Sequence, residues 1–411
     1  MGYKRPYTRR QSRRIRRFRK RTGSLMSIII VLIAACIVAL GFFTAKGVAS
    51  LFSKRPSLPS TDTSSLVSDK NSQNSDTAVV DKELLGIYLP YNAIATSEAQ
   101  SSALSFIKSS KINCVVIDLK AEDGVLRYQS SIQAVINSGM QNQATVDMQT
   151  LCKKFNEAGV HVIGRVVCFK DNLMPRTDVG REMSVKASDG SRRWDMYSWL
   201  NAYNSVACQY LYDIIKEACS LGFDEILLDE VKFPDSQFLA PLLYYGDAST
   251  LPSKNQALTD FINASCDIVH NASLKISLNV PVNAAYADIG NEISGQSFDY
   301  SQLKIDYLCP NFRTDYLSQL SDYSVVSQEI VINAEKNIAD ALKAFGKATS
   351  DKVSQQNSKI ILRPWLRDYN SNTASYTHEQ IQQQISALKE TGYKNMVFFN
   401  TEGIYNQTAY N

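Results

Sequence analysis

The sequence predicts a single (β/α)8 barrel, of the α/β class, over residues 83–411, and three observations carry that prediction. Eight short apolar runs, rich in β-branched residues and not alternating with polar ones, read as strands buried on both faces. Segments with helical spacing of apolar residues lie between most of them. Two of those helices leave through a glycine, in Glu157-Ala-Gly-Val160 and Ser220-Leu-Gly-Phe223, so the chain turns at once into the next strand. A doubly wound open sheet is the alternative architecture, but no GxGxxG or Walker-type loop follows the first strand.

In order, the strand runs are Leu84–Leu89, Cys114–Leu119, Val160–Phe169, Glu225–Val231, Lys275–Val282, Ile305–Pro310, Ile360–Leu366 and Met396–Asn400. The first helical face comprises Val146, Leu151, Cys152, Phe155 and Ala158. The second comprises Val206, Tyr210, Leu211, Ile214, Ile215, Ala218 and Cys219. Leu258, Phe261, Ile262, Ser265, Ile268 and Val269 form a third. Ile330, Ala334, Ile338, Ala341, Leu342 and Phe345 form a fourth, and Ile381, Ile385 and Leu388 the last. Strand followed by helix, repeated eight times, is the pattern of a closed parallel barrel.

The residues before the barrel divide into three parts. Residues 1–23 hold eleven Lys and Arg and no acid, 24–46 include the charge-free run Leu25–Phe43, and 47–82 are, from residue 56 on, rich in Ser, Thr, Asp and Asn. Nineteen apolar residues at about 1.5 Å each reach the thickness of a bilayer's hydrocarbon core. The basic flank places the amino terminus in the cytoplasm and the rest outside, as a single-pass membrane anchor. Cleavage near Val48-Ala49-Ser50 is the alternative. The polar stretch lacks the apolar groups to offset its ordering entropy and reads as a flexible linker. The whole-chain charge of +4 hides this division. From residue 56 onward there are 30 bases against 40 acids, a net of −10. The basic tail therefore marks topology and anionic headgroups, and nucleic acid is not an expected partner.

Of the eight cysteines, Cys36 lies in the apolar run and seven lie in the barrel region without a CxxC pair. Most fall in apolar segments and read as free buried thiols. The three histidines, His161, His270 and His378, are far apart, so neither a His-rich metal site nor any other cofactor is implied. Oligomeric state is not legible.

In such barrels chemistry sits at the carboxyl ends of the strands. Those ends here carry Asp118, Lys120, Glu122 and Asp123; Arg165, Lys170 and Asp171; Asp229, Glu230 and Lys232; Asn311, Arg313 and Asp315; Arg363, Trp365, Arg367 and Asp368; and Asn400. Acids, bases and aromatics on one rim suit a sugar site, because carboxylates supply acid and base or nucleophile while aromatic faces cover a pyranose ring.

The stretch Gly222–Pro234, GFDEILLDEVKFP, resembles the GFDEIQFDYVRFP motif of DUF4015, a glycoside-hydrolase-like barrel family. Val116–Lys120, Arg165–Asp171, Trp199–Asn201, Arg363–Asp368 and Phe398–Asn400 agree with it in order. The similarity runs from Leu84 to about Tyr405. It implies Asp229 as a catalytic carboxylate and Asp368 as its preferred partner. Glu230 stands where the family has Tyr. It either supplies a second carboxylate or faces away, since adjacent side chains on a strand alternate. Asp118 and Lys120 are substrate positioners or a buried pair, and Trp365 is a sugar platform or a packing residue. Arg165, Lys170, Asp171, Lys232, Asn311, Arg363 and Asn400 complete the expected substrate contacts. Asp224 and Glu225, at the start of the fourth strand, read as structural. The expected activity is hydrolysis of an envelope or extracellular polysaccharide by a carboxylate pair. The alternative is a non-catalytic carbohydrate-binding or envelope-complex barrel.

Overall fold

The computed structural model describes residues 83–139, 146–188, 190–191, 198–287, 291–370 and 374–411. Eight parallel strands close into a barrel: β1 (Leu85–Leu89), β2 (Cys114–Lys120), β3 (His161–Val167), β4 (Glu225–Asp229), β5 (Lys275–Pro281), β6 (Tyr307–Asn311), β7 (Ile361–Leu362 continued by Trp365–Arg367) and β8 (Met396–Phe399). Each pairs in parallel with the next. Closure comes from Leu85↔Met396, Gly86↔Val397 and Ile87↔Phe398. β7 is broken at Arg363-Pro364 because proline has no N–H to give to the ladder. All eight predicted strands are present, shifted at most a few residues.

The main outer helices are α1 (Ser97–Lys108), α2 (Met148–Asn156), α3 (Ser205–Ala218), α4 (Lys254–Asn271), α5 (Ile338–Gln356) and α6 (His378–Glu390). Asp147 and Asn204 cap α2 and α3 by accepting Thr150 N–H and Ala207 N–H. Gly159 and Gly222 take the left-handed conformation (φ 76° and 87°) that the two helix exits demanded. Three details differ from the sequence reading. α1 is serine-rich with only Leu104 and Ile107 buried, too weak an apolar stripe to be seen beforehand. The face predicted through Ile330 and Phe345 is two helices, Gln328–Ile332 and α5. Between them Asn333 turns its side chain back to Glu329 O, the local bonding by which Asn competes with a helix. Val206, assigned to an apolar face, is 54% exposed in the first turn of α3.

Strand alternation sorts the core into two layers. Outward side chains such as Val115, Ile117 and Leu228 pack under the helices. Inward ones, including Tyr88, Cys114, Val116, Ile163, Leu227, Cys309, Trp365 and Val397, fill the barrel. All seven barrel cysteines are free, five of them buried. The predicted apolar span Leu25–Phe43, with the basic tail and linker, lies outside the described residues. Among those described, no helix is long and apolar enough to cross a membrane.

Candidate active site

The inward line of each strand runs from a floor at the amino ends to a rim at the carboxyl ends. On β4 it places Glu225 at the floor and Asp229 at the rim, four residues or roughly 13 Å apart. At the rim lies a cavity of about 280 Å³, just below the usual range for small-molecule sites (roughly 300–1,000 Å³). Asp229, Glu230, Glu122, Arg165, Lys232 and Arg313 supply its charges. Trp365, Phe399 and Tyr316 supply aromatic wall, and Asn279, Asn311 and Gln296 neutral polar groups.

Arg165, inward on β3, organises the acids. Its Nε meets Asp229 Oδ2 at 2.7 Å, one terminal nitrogen meets Asp118 Oδ1 at 2.8 Å, and the other pairs with Glu122. Burial opposes the charge on Glu122, but Arg165 more than offsets it and holds that carboxyl at about 2. The second oxygen of Asp229 accepts the Glu230 N–H at 2.7 Å, so the carboxylate is held at both ends. Burial also works against the charged form of Arg165, and three carboxylates overcome it.

Glu230 has φ 48°, a left-handed backbone that costs a residue with a Cβ roughly 1–2 kcal/mol. That one dihedral breaks the strand's alternation. Asp229 and Glu230, consecutive in sequence, therefore line the same cavity. Lys170 and Lys232 stand 3.5 and 3.3 Å from the two Glu230 oxygens. Lys232 also binds Asp235 at 2.7 Å. Burial pulls its ammonium down in pKa, and the two acids raise it well above the usual lysine value.

Several expected contacts lie elsewhere. Arg363 is one inward step below Trp365, buried at the floor and paired with Glu225, which also meets His161 at 3.1 Å. It does not reach the rim, because two residues along a strand move a side chain down by about 6–7 Å. Glu225 thus holds a purely internal ion pair, as its place at the strand start implied. Lys120 and Asp171 are a fully buried pair at 3.0 Å, with Lys120 also donating to Val167 O. Asp171 Oδ1 accepts Leu173 and Met174 N–H and so shapes the loop after β3. Asp118 lies beneath Arg165 and accepts the Tyr88 hydroxyl at 2.6 Å. Lys170 backs Glu230 and does not line the cavity.

Asp368, the expected partner of Asp229, shares the outward face of β7 with Leu366. Its Oδ2 accepts Tyr410 OH at 2.7 Å and Asn406 N–H at 3.3 Å, away from the cavity. Burial raises its pKa, as a general acid needs, but Asp368 is not among the residues that line the cavity. Asn400 donates to Asp368 O and Ile404 O and ties the same turn. Of the expected residues, the cavity gathers Asp229, Glu230, Arg165, Lys232, Asn311 and Trp365. Sequence reasoning gave no role to Glu122, Asn279, Arg313, Tyr316 or Phe399. Asn279 was legible as the inward residue after Ser277 on β5.

The closed parallel barrel and its acid-lined, aromatic-walled rim define a glycoside-hydrolase-like (β/α)8 domain. The chain belongs to the DUF4015 family, whose model, described as "Putative glycosyl hydrolase domain", matches residues 86–405. No curated protein matches it. Among solved structures it is similar to the PgaB (BpsB) glycoside hydrolase domain from Bordetella bronchiseptica, at 13% identity and TM-score 0.56, covering 78% of this chain and 95% of that one. It is also similar to the catalytic domain of beta-amylase from Paenibacillus polymyxa, at 11% identity and TM-score 0.51, covering 81% and 95%. A hypothetical protein from Ruminiclostridium thermocellum shares 28% identity over 47% of this chain and 96% of its own, at TM-score 0.41. The two barrels at low identity establish the fold.

Proposed function

We propose that the domain is a glycoside hydrolase in which Asp229 and Glu230 form the working carboxylate pair. The observation that carries this reading is the left-handed backbone at Glu230, which turns two consecutive carboxylates into one cavity beside Trp365 and Phe399. Strain of that kind persists where surrounding structure enforces it, and it concentrates at working sites. Asp229, oriented by Arg165 and the Glu230 N–H, is placed to attack the anomeric carbon or take a proton from water. Glu230, the other acid of the pair in the cavity, gives a proton to the glycosidic oxygen as the C–O bond breaks. Glu122, held at about 2 by Arg165, is a poor proton donor and keeps Arg165 in place.

The apolar run Leu25–Phe43 and the eleven bases before it support a single-pass anchor with the domain outside the cell. The substrate is then an envelope or extracellular polysaccharide. Incubating the full-length protein with such polysaccharides and reading products by mass spectrometry tests both parts. Asp229→Asn and Glu230→Gln should abolish product, whereas Glu122→Gln should only weaken it. Product release undiminished in Asp229→Asn would remove the mechanism. Deleting residues 1–23 should cause misinsertion, read by protease accessibility, without loss of turnover by the barrel.

A further inference from the structure

Six cations in or near the rim and barrel interior are matched to acids, and one is not. Arg165 has three carboxylate partners and Lys232 two. Lys120, Lys170, Arg363 and Arg367 each have at least one. Arg313 lines the same cavity and has no acid within ion-pair distance among the described residues. Its Nε donates to Asn311 Oδ1 at 3.1 Å, which leaves its terminal N–H groups without a protein acceptor among the described residues. The guanidinium lies over the Phe399 ring, 4.8 Å from the centroid, so its plane is fixed by a stacking surface. An arginine held in this way presents a rigid fork to a carboxylate.

Two residues that line the same cavity each carry a buried polar atom without a hydrogen-bond partner among the described residues. Trp365 is 4% exposed; its buried Nε1–H has no acceptor, and the buried Asn279 Oδ1 no donor, among the described residues. A buried donor and a buried acceptor left open together suit hydroxyl groups, which both give and accept hydrogen bonds. Charge then selects among sugars. Glu122, Asp229 and Glu230 all face this space, so a doubly charged phosphate monoester would meet three carboxylates with only one unmatched cation to receive it. The hydroxyls of a neutral sugar accept from the Arg313 N–H groups but leave its charge unmatched, whereas a carboxylate answers both.

We propose that the cavity takes a sugar bearing one negative charge, a hexuronate whose carboxylate is held by Arg313 beside the polar residues Trp365 and Asn279. This rests on the hydrolase reading only in taking the cavity to bind sugar. Binding of D-glucuronate, D-galacturonate, D-glucose and glucose 6-phosphate to the full-length protein, followed by NMR titration, tests it without requiring turnover. At least one uronate should bind roughly ten- to hundred-fold more tightly than glucose, the range of a charge-assisted hydrogen bond. Arg313→Gln should erase that preference and Arg313→Lys should keep part of it. Equal or tighter binding of glucose, tighter binding of the phosphate ester, or no binding of any of the four would overturn the proposal in the unmodified protein. A preference that survives Arg313→Gln would overturn it too. Uronate capture by Arg313 with no cleavage of any glycan would leave this proposal standing and sink the hydrolase reading. Cleavage of a neutral glycan, indifferent to Arg313→Gln, would do the reverse.

Discussion

The two ends of the barrel interior hold clusters of the same chemistry, arginine among carboxylates, and they behave oppositely. At the floor Arg363 and Glu225 are 1% and 0% exposed, and His161 closes the other side of the acid. One guanidinium meets one buried carboxylate. At the rim Arg165 is shared by Asp118, Glu122 and Asp229, a cavity opens beside them, and Glu230 and Arg313, which do not pair with each other, face the same space. A matched, closed pair specifies the fold. An over-subscribed, open cluster leaves charged groups facing a cavity.

The strongest way to break the comparison is to neutralise one acid at each end. Asp229→Asn should lower turnover at least a thousand-fold, roughly the loss of one essential carboxylate, while the thermal midpoint stays near that of the parent. Glu225→Ala or Arg363→Ala should do the converse, costing roughly 3–5 kcal/mol in urea unfolding because each leaves a buried charge without its partner. Equal destabilisation by Asp229→Asn would make the rim cluster structural too.

A sharper separation comes at Glu230. Replacing it by glycine relieves the left-handed strain and should raise stability by about 0.5–1 kcal/mol, measured by urea unfolding, while turnover falls. Glu230→Gln, which keeps the strain, should lose turnover with no gain in stability.

The smallest effect in the working range concerns pH. Burial opposes the charge of Glu225, but Arg363 and His161 outweigh it and hold the carboxyl at about 2 against an unfolded value of 4.5. A carboxyl depressed in the folded state contributes stability that is fully present above its unfolded value and is lost as pH falls through the folded one. Thermal midpoints should therefore change little from this source between about pH 8 and 5. They should fall between 4.5 and about 2, and Glu225→Gln should flatten that fall.

The sequence alone pointed to the barrel, because strand burial, helix stripes and the glycines after α2 and α3 are local signals repeated along the chain, and no GxGxxG or Walker-type loop favoured the open sheet that they also fit. It also determined the charge division between residues 1–23 and the rest, and the residues that stand at strand ends. Tertiary structure decided which of those residues face the cavity. Asp368 was sent outward by alternation and engaged by Tyr410, 42 residues on. Arg363 was drawn to a glutamate 138 residues away. Lys120 and Asp171 were closed into each other. Glu230 was turned inward by one dihedral, and Arg313 was left unmatched. Periodicity is written along the chain, but the direction of a side chain at a strand exit depends on a single backbone angle and on partners that only the closed barrel brings near.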